Sequence, residues 1–281
     1  MRTNFICLFT AVVAIIFSPA YAAPVSLLGQ LQQGGMMLGQ APVGSQVWLN
    51  GEPLKATAQG DFVFGFGRDY PATAELEVTL PDGQRWQQTL QVAAREYHIQ
   101  RVDGISKEIM SKQKSPETLA RIREEVLAVK EARARQLDLT AFKEAFQWPL
   151  TGPITGVYGS QRVYNGEPGR PHYGVDIAAP VGTQVVAPAD GVVTLAYPDM
   201  YYSGGTLIID HGYGVSSSFL HLSKLLVKVG DSIHQGQPIA EVGAGGRASG
   251  AHLDWRMNWQ DQRIDPQLLV PPMLETVADK R

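Results

Sequence analysis

The order of apolar and polar positions divides the chain into three stretches. Residues 24–100 alternate over short runs such as QVWL and ELEVTL (75–80), the period of a half-buried strand. Turn signals separate the runs: Gly34-Gly35, Asn50-Gly51, Gly60-Asp61 and Pro81-Asp82-Gly83. Asn50-Gly51 and Asp82-Gly83 are hairpin pairs, because their φ preferences match a tight two-strand connection. This stretch predicts a small antiparallel sandwich or barrel. Between 105 and 146 the period changes. Ser115-Pro116-Glu117 reads as a helix start, with Ser as cap and Pro in the first turn. Leu119, Ile122, Val126 and Val129 then recur at spacings of three and four and define one helical face. Charged residues fill the rest: Arg121, Arg123, Glu124, Glu125, Lys130, Glu131, Arg133 and Arg135. The expectation is a helix packed on a domain with its charged face in water; a partner-binding helix is the alternative.

From Trp148 the chain is β again. Candidate strands are GVDIAA (174–179), TQVVA (183–187), GVVTLAY (191–197), GTLIIDH (205–211), GVSSSFLHL (214–222), QPIAEV (237–242) and HLDWRMN (252–258). There is no βαβ alternation and no phosphate loop. The fold class is therefore mainly β. A small N-terminal β-sandwich or barrel domain (23–102) precedes a helical connector (103–147) and a C-terminal antiparallel β domain (148–281).

Residues 1–22 stand apart. Arg2 precedes the apolar run 4–19, and Ala20-Tyr21-Ala22 is an A-x-A cleavage signature. The run is shorter than the ~20 residues of a membrane span and carries Pro19. A cleaved signal peptide is expected; an uncleaved anchor is the alternative. The sole cysteine, Cys7, lies inside this run. The mature chain thus has no disulfide and no thiolate site, and any metal falls to His, Asp or Glu. Removing 1–22 takes one basic residue, Arg2, and no acid, leaving 23 against 27, a balance of −4. That charge does not suit nucleic acid.

Five of the six histidines fall in 172–252. His172 and Asp176 are four apart in RPHYGVD and share a face if the segment is extended. Gly174 between them lets backbone pass close to a neighbour. His221 lies in FLHLS. His252 and Asp254 alternate around Leu253 and project together, and Arg256 shares their face, able to pair with a substrate carboxylate or with Asp254. Trp255 faces the other way and reads as packing. Histidines and carboxylates gathered in one β domain suggest metal-assisted hydrolysis. His98, His211 and His234 read as solvated or structural. Tyr201 and Tyr202 read as a cleft edge or surface aromatics, and Asp265-Pro266 as a terminating turn.

The ordered series PHYGVDIAAPVGTQVVAPADGVV, SSFLHLS, GDSIHQGQPIAEVG and SGAHLDW resembles the lysostaphin/LytM-type zinc metallopeptidases over roughly 148–270. Residues 24–102 resemble, more weakly, the β domain that precedes the peptidase in some relatives. The resemblance implies an antiparallel β peptidase domain that binds one zinc ion and hydrolyses peptide bonds in bacterial peptidoglycan. It implies His172 and Asp176 as two zinc ligands, and His221 and His252 as the histidines handling water and oxyanion. The family's HxH motif places its third ligand at Asp254. Here the chain departs from the pattern. A carboxylate binds zinc, but two carboxylates neutralise the dication, so its water should be less acidified. Oxygen-rich ligation also moves preference toward manganese-like ions. The expected protein is exported to a periplasm, as the absence of a wall-sorting tail suggests. The competing reading is a catalytically impaired module that binds and regulates another cell-wall hydrolase or a division-complex protein. GDSIHQGQPIAEVG also resembles lipoyl and biotinyl carriers, but 238–258 lacks the lysine they need. HYGVD resembles a sugar-transport phosphocarrier, which export would separate from its phosphate donor.

Overall fold

The computed structural model describes residues 23–104 and 114–273. The expected leader, with Arg2 and Cys7, lies outside the described residues, as do 105–113 of the connector and 274–281.

The N-terminal region forms two antiparallel sheets. β1 (Ser26–Gly29), β2 (Met36–Gln40) and β5 (Asp61–Gly65) make one. β3 (Gln46–Leu49), β4 (Glu52–Leu54), β6 (Thr73–Thr79) and β7 (Arg85–Gln91) make the other. After the exposed Thr73, β6 alternates buried and half-buried positions, as its sequence period requires. Asn50 and Gly51 join β3 to β4 with φ of 51° and 80°, the left-handed pair of a type I′ hairpin turn. Phe62, Phe64 and Phe66 are fully buried and join a core that continues into the C-terminal half through Trp259 and Ile264. β8 (Ile99–Val102) pairs in parallel with β10 (Gln161–Tyr164), which also pairs with β11 (Glu167–Pro168).

One α-helix is found among the described residues, α1 (Pro116–Ala134). Ser115 caps it by accepting from Thr118 N, with proline in the first turn, as its sequence predicts. Its covered face matches the predicted one only in part, Ile122 and Val129 being half-buried. Leu119 and Val126 are 41% and 60% exposed. The covered strip instead runs through Glu125, Ala128, Val129 and Ala132, where two alanines allow close approach. The Glu125 carboxylate accepts from Tyr201 N at 2.9 and 3.1 Å and is paired with Arg121 at 2.7 Å. A capped loop amide thus keeps this charge on the inner face.

The C-terminal half is one large, mostly antiparallel sheet. β12 (Val175–Ala178) lies between β9 (Ile154–Gly156) and β19 (His252–Trp259). The order continues through β16 (Val215–Leu225), β15 (Gly204–Gly212), β14 (Gly191–Met200) and β17 (Ser232–Ile233). β18 (Pro238–Val242) pairs with β13 (Gln184–Val186) and β16, and β20 (Gln262–Ile264) with β19. The cross-strand row Leu207–Phe219–Trp255–Val175 faces the main core, all four residues being fully buried. The next row, Leu195–Ile208–Ser218–Arg256, faces the other side. There α1 covers Leu195, Met200 and Ile208 in a satellite core. β15 is therefore buried on both faces, which is why GTLIIDH reads as a continuous apolar run.

Candidate metal centre

The strip of that outer face not covered by α1 carries the predicted residues. Asp176 on β12 stands directly opposite Asp254 on β19, and His252 opposite Ala178. His172 precedes β12 in extended backbone fixed by two exchanges: His172 N donates to Ser160 O and Gly159 N donates to His172 O, both at 2.8 Å. A Cβ on Gly174 would meet Asp254 Oδ1 and Trp255 O at 2.6 Å. What passes close to this glycine is β19 itself. A Cβ on Gly156 would strike the Asp176 carboxylate, so two glycines let three strands close around the acid pair.

His221 arrives by a different device. The β15–β16 register slips between Gly205 and Leu207, where Leu220 and His221 stand opposite the single residue Thr206. His221 has φ of 63°, a left-handed conformation that histidine tolerates better than most side chains. The bulge turns its ring to the outer face, 4.8 Å from the His252 ring, centroid to centroid.

The polar atoms divide into committed and uncommitted. His221 Nδ1 lies 2.8 Å from Gly245 O and His252 Nδ1 2.9 Å from Gly250 O. A carbonyl only accepts, so each Nδ1 carries the proton and each Nε2 keeps a lone pair. Burial lowers the His221 pKa, partly offset by Gly245 O, which also favours the neutral ring. His172 Nε2 and Asp176 Oδ1 are 3.2 Å apart, both buried and without a hydrogen-bond partner. His252 Nε2 lies 3.8 Å from the same oxygen. Ligand atoms of His172, Asp176 and Asp254 all lie within 4.8 Å of one another. Two zinc ligands with bonds of about 2.0–2.2 Å in tetrahedral array stand about 3.4 Å apart. The orphaned pair meets that spacing, and a cation between the two atoms would give both the partner they lack. The site therefore fits a zinc-like ion.

Asp254 is the complicated member. Its side chain is 3% exposed. Arg256 grips both oxygens, Nε at 2.9 and 3.1 Å and Nη2 at 2.5 Å. Of the two pairings that alternation allowed for Arg256, the one with Asp254 is made. Burial alone would raise the Asp254 pKa, but the guanidinium overrides it and holds the carboxyl below its usual range. Burial would likewise lower Arg256, and Asp254 keeps it above its ordinary value. Oδ2 takes two of these contacts and Oδ1 one, so Oδ1 keeps a second lone pair and the grip leaves acceptor capacity there.

The remaining expectations resolve simply. His211 is fully buried, with Nδ1 2.6 Å from Asp190 O and Nε2 2.6 Å from Ser217 Oγ. His98 is exposed, and His234 is a turn residue beside Asp190. Trp255 packs against Trp148. Tyr201 and Tyr202 pack edge to face on the loop that leads to Ser203, whose carbonyl accepts from His221 N. Asp265 caps the short helix Pro266–Leu268 and pairs with Arg95 at 2.8 Å. Arg133, predicted to face water, instead reaches inward and donates to Ser218 Oγ at 2.9 Å.

An antiparallel β sheet with a histidine–carboxylate cluster able to hold a metal on one face is an arrangement suited to a hydrolase domain. Residues 170–266 match peptidase family M23, and the chain carries a peptidase M23 domain of the LytM/lysostaphin family. A 112-residue stretch is 37% identical to peptidoglycan DD-endopeptidase ShyA of Vibrio cholerae, covering 39% of this chain and 25% of that protein. A 135-residue stretch is 30% identical to cell division protein DipM of Caulobacter vibrioides, covering 46% of this chain and 21% of that protein. The chain thus spans about a quarter of the length of these relatives. A solved candidate M23 peptidase from Pseudomonas aeruginosa is similar in fold, with TM-score 0.66 and 28% identity. That likeness covers 86% of this chain and 95% of the other, so it takes in the N-terminal sheets as well as the M23 domain.

Proposed function

We propose that this chain is an exported zinc metalloendopeptidase that hydrolyses peptide bonds in bacterial peptidoglycan. The observation that carries the reading is the orphaned pair, His172 Nε2 and Asp176 Oδ1, 3.2 Å apart and buried. His172, Asp176 and Asp254 would hold the ion, with a manganese-like ion as an alternative occupant. Bound there, the ion would supply Lewis acidity toward the attacking water and the scissile carbonyl. The histidines supply proton handling. His221 and His252 are fixed through Nδ1 and present Nε2 to the same cleft, so either accepts the proton of the attacking water. The protonated ring then donates to the developing oxyanion or the leaving amine. The substrate class follows the ShyA-like relatives, and with it the periplasmic location. Residues 23–102, 103–147 and 148–281 are proposed as the working divisions of the chain.

A second reading is favoured by one contact. Arg256 occupies both oxygens of Asp254. If that grip excludes the ion, the domain is a catalytically impaired module that binds a wall hydrolase or division-complex protein. Elemental analysis of the purified mature protein beside Asp254→Ala separates the two, followed by a peptidoglycan digest. About one zinc per chain in the parent and far less in the variant supports Asp254 as the third ligand. No metal in the parent, even with zinc supplied, sinks the enzyme reading. Equal metal in both removes Asp254 from the ligand set.

A further inference from the structure

Three guanidinium groups from three separate elements converge beside the metal centre. Arg133, in the last turn of α1, donates Nη2 to Ser218 Oγ at 2.9 Å. Its Nε is buried without a hydrogen-bond partner. Ser218 stands directly opposite Arg256 across β16 and β19. Arg263, on β20, donates Nη1 to Asn258 Oδ1 at 3.1 Å. Asn258 lies two residues past Arg256 on the same face of β19, and the Arg263 guanidinium sits 6.0 Å over the Tyr173 ring. The three side chains thus meet over one patch of sheet floor between the α1 wall and the centre.

The charges there do not balance. Among the described residues the acids facing these arginines are Asp254, already gripped by Arg256, Asp176 across from it at the centre, and Asp261, exposed in the β19–β20 turn, while Arg170 adds a further positive charge beside Arg263. Burial, then Arg263 and Arg256, pushes Arg133 well below its ordinary value. Burial, then Arg256, also lowers Arg263. Anchoring α1 does not account for the arrangement, because a serine hydroxyl needs a single donor and no cation. Half-buried like charges with a free donor form a site prepared for an anion.

We propose that Arg133, Arg256 and Arg263 form an anion subsite that takes the carboxylate of a peptide substrate. The occupant's identity rests on the peptidase reading. Arg256 lies two residues along β19 from Asp254, about 7 Å at strand pitch. One peptide residue spans about 3.8 Å, and an arginine side chain reaches back over the remainder. A carbonyl at the centre therefore places in this subsite a carboxylate on the carbon next to the scissile nitrogen. Two sources carry that group: a peptide C-terminus, and a diamino acid whose side-chain amine forms a cross-link while its own carboxylate stays free. The planar forks of arginine match it.

The test uses the full mature chain, zinc-loaded and EDTA-treated, with N-acetyl-D-alanyl-D-alanine as the free acid and as its C-terminal amide. Binding is read by calorimetry or NMR titration, and cleavage by mass spectrometry. The acid is expected to bind about tenfold or more tightly than the amide, the scale of one charge-assisted contact. Arg133→Gln, and separately Arg263→Gln, should abolish that advantage and leave amide affinity in place. Equal binding of acid and amide, binding of neither, or an acid preference that survives both variants overturns the subsite. The acid–amide comparison on the unaltered chain stands even where a variant fails to fold. Cross-linked muropeptides, native or amidated at the same carboxylate, identify the source. Preference for the native cross-link over the dipeptide assigns endopeptidase use, and the reverse assigns a terminal cut. Peptidoglycan digestion without acid preference removes the subsite and leaves the peptidase. Acid preference without zinc or digestion does the opposite.

Discussion

Replacing Arg256 by Gln should destabilise the metal-free chain strongly and the zinc-loaded chain weakly. Asp254 is 3% exposed and meets Arg256 through three contacts of 2.5 to 3.1 Å. Removing one partner of a buried pair leaves the other charge uncompensated, at a cost of about 3–5 kcal/mol. Arg256 is itself 26% exposed, so water reaches the pair from one side and the low end, about 3 kcal/mol, is expected in EDTA. Zinc changes the outcome, because a cation beside Asp254 substitutes for the missing guanidinium. Both chains gain from zinc by mass action, so the variant's loss shrinks only by its extra affinity for the ion: binding about thirtyfold tighter than the parent, about 2 kcal/mol, brings the loss to about 1 kcal/mol. Urea unfolding followed by tryptophan fluorescence, in EDTA and in excess zinc, measures both. Trp255, fully buried on the same strand and 5.8 Å from the half-buried Trp148, reports on it. An equal loss with and without zinc would refute the reasoning, since Asp254 would then not face the ion.

Other consequences follow from single contacts. Burial pushes the His211 pKa down from 6.5 to about 4; the unfolded imidazole takes its proton below about 6.5 and the folded one does not, so stability falls with pH between these values, by about 3 kcal/mol in all. His211→Gln should flatten that slope, read from unfolding midpoints at pH 4 to 7. His221→Ala should keep the parent's zinc content yet slow peptidoglycan cleavage by about 10²- to 10⁴-fold; loss of zinc would put His221 among the ligands. Glu125→Ala leaves Tyr201 N without its acceptor and should cost about 1–3 kcal/mol. Hydrogen exchange should then speed up in α1 and the 201–203 loop, and unchanged protection there would mean α1 is held by its alanine strip alone.

The strands of the C-terminal half were legible because two-residue alternation and turn residues fix both their extent and their faces. The same rule placed His252, Asp254 and Arg256 together and sent Trp255 into the core. It fails at His221. Strict alternation from Phe219 would send that ring into the core, and only the inserted residue with φ of 63° turns it out. No periodicity announces such a bulge. The face of α1 failed in part, for another reason. A helix buries the strip its neighbour has room for, and here the neighbour offers Leu195, Ile208 and a loop amide rather than a broad apolar surface. Glu125 and Arg133 are drawn inward by Tyr201 N and Ser218 Oγ, partners that lie 76 and 85 residues away in the chain.

Arg256 also alters the chemical expectation attached to Asp254. From the sequence, two carboxylates around a dication predict a neutral centre and a poorly acidified water. The guanidinium against both Asp254 oxygens returns one positive charge to the cluster. In the proposed reading, an ion with His172, Asp176 and an Asp254–Arg256 pair carries the same net +1 as an ion with two histidines and one carboxylate. The exchange of a neutral ligand for an anion is thus offset within two residues on the same strand face, where alternation guarantees contact. A site decaying without function has no physical reason to place the compensating cation there. In the proposed readings Arg256 would serve both centres: it offsets the charge of Asp254 on one side and completes the anion subsite on the other.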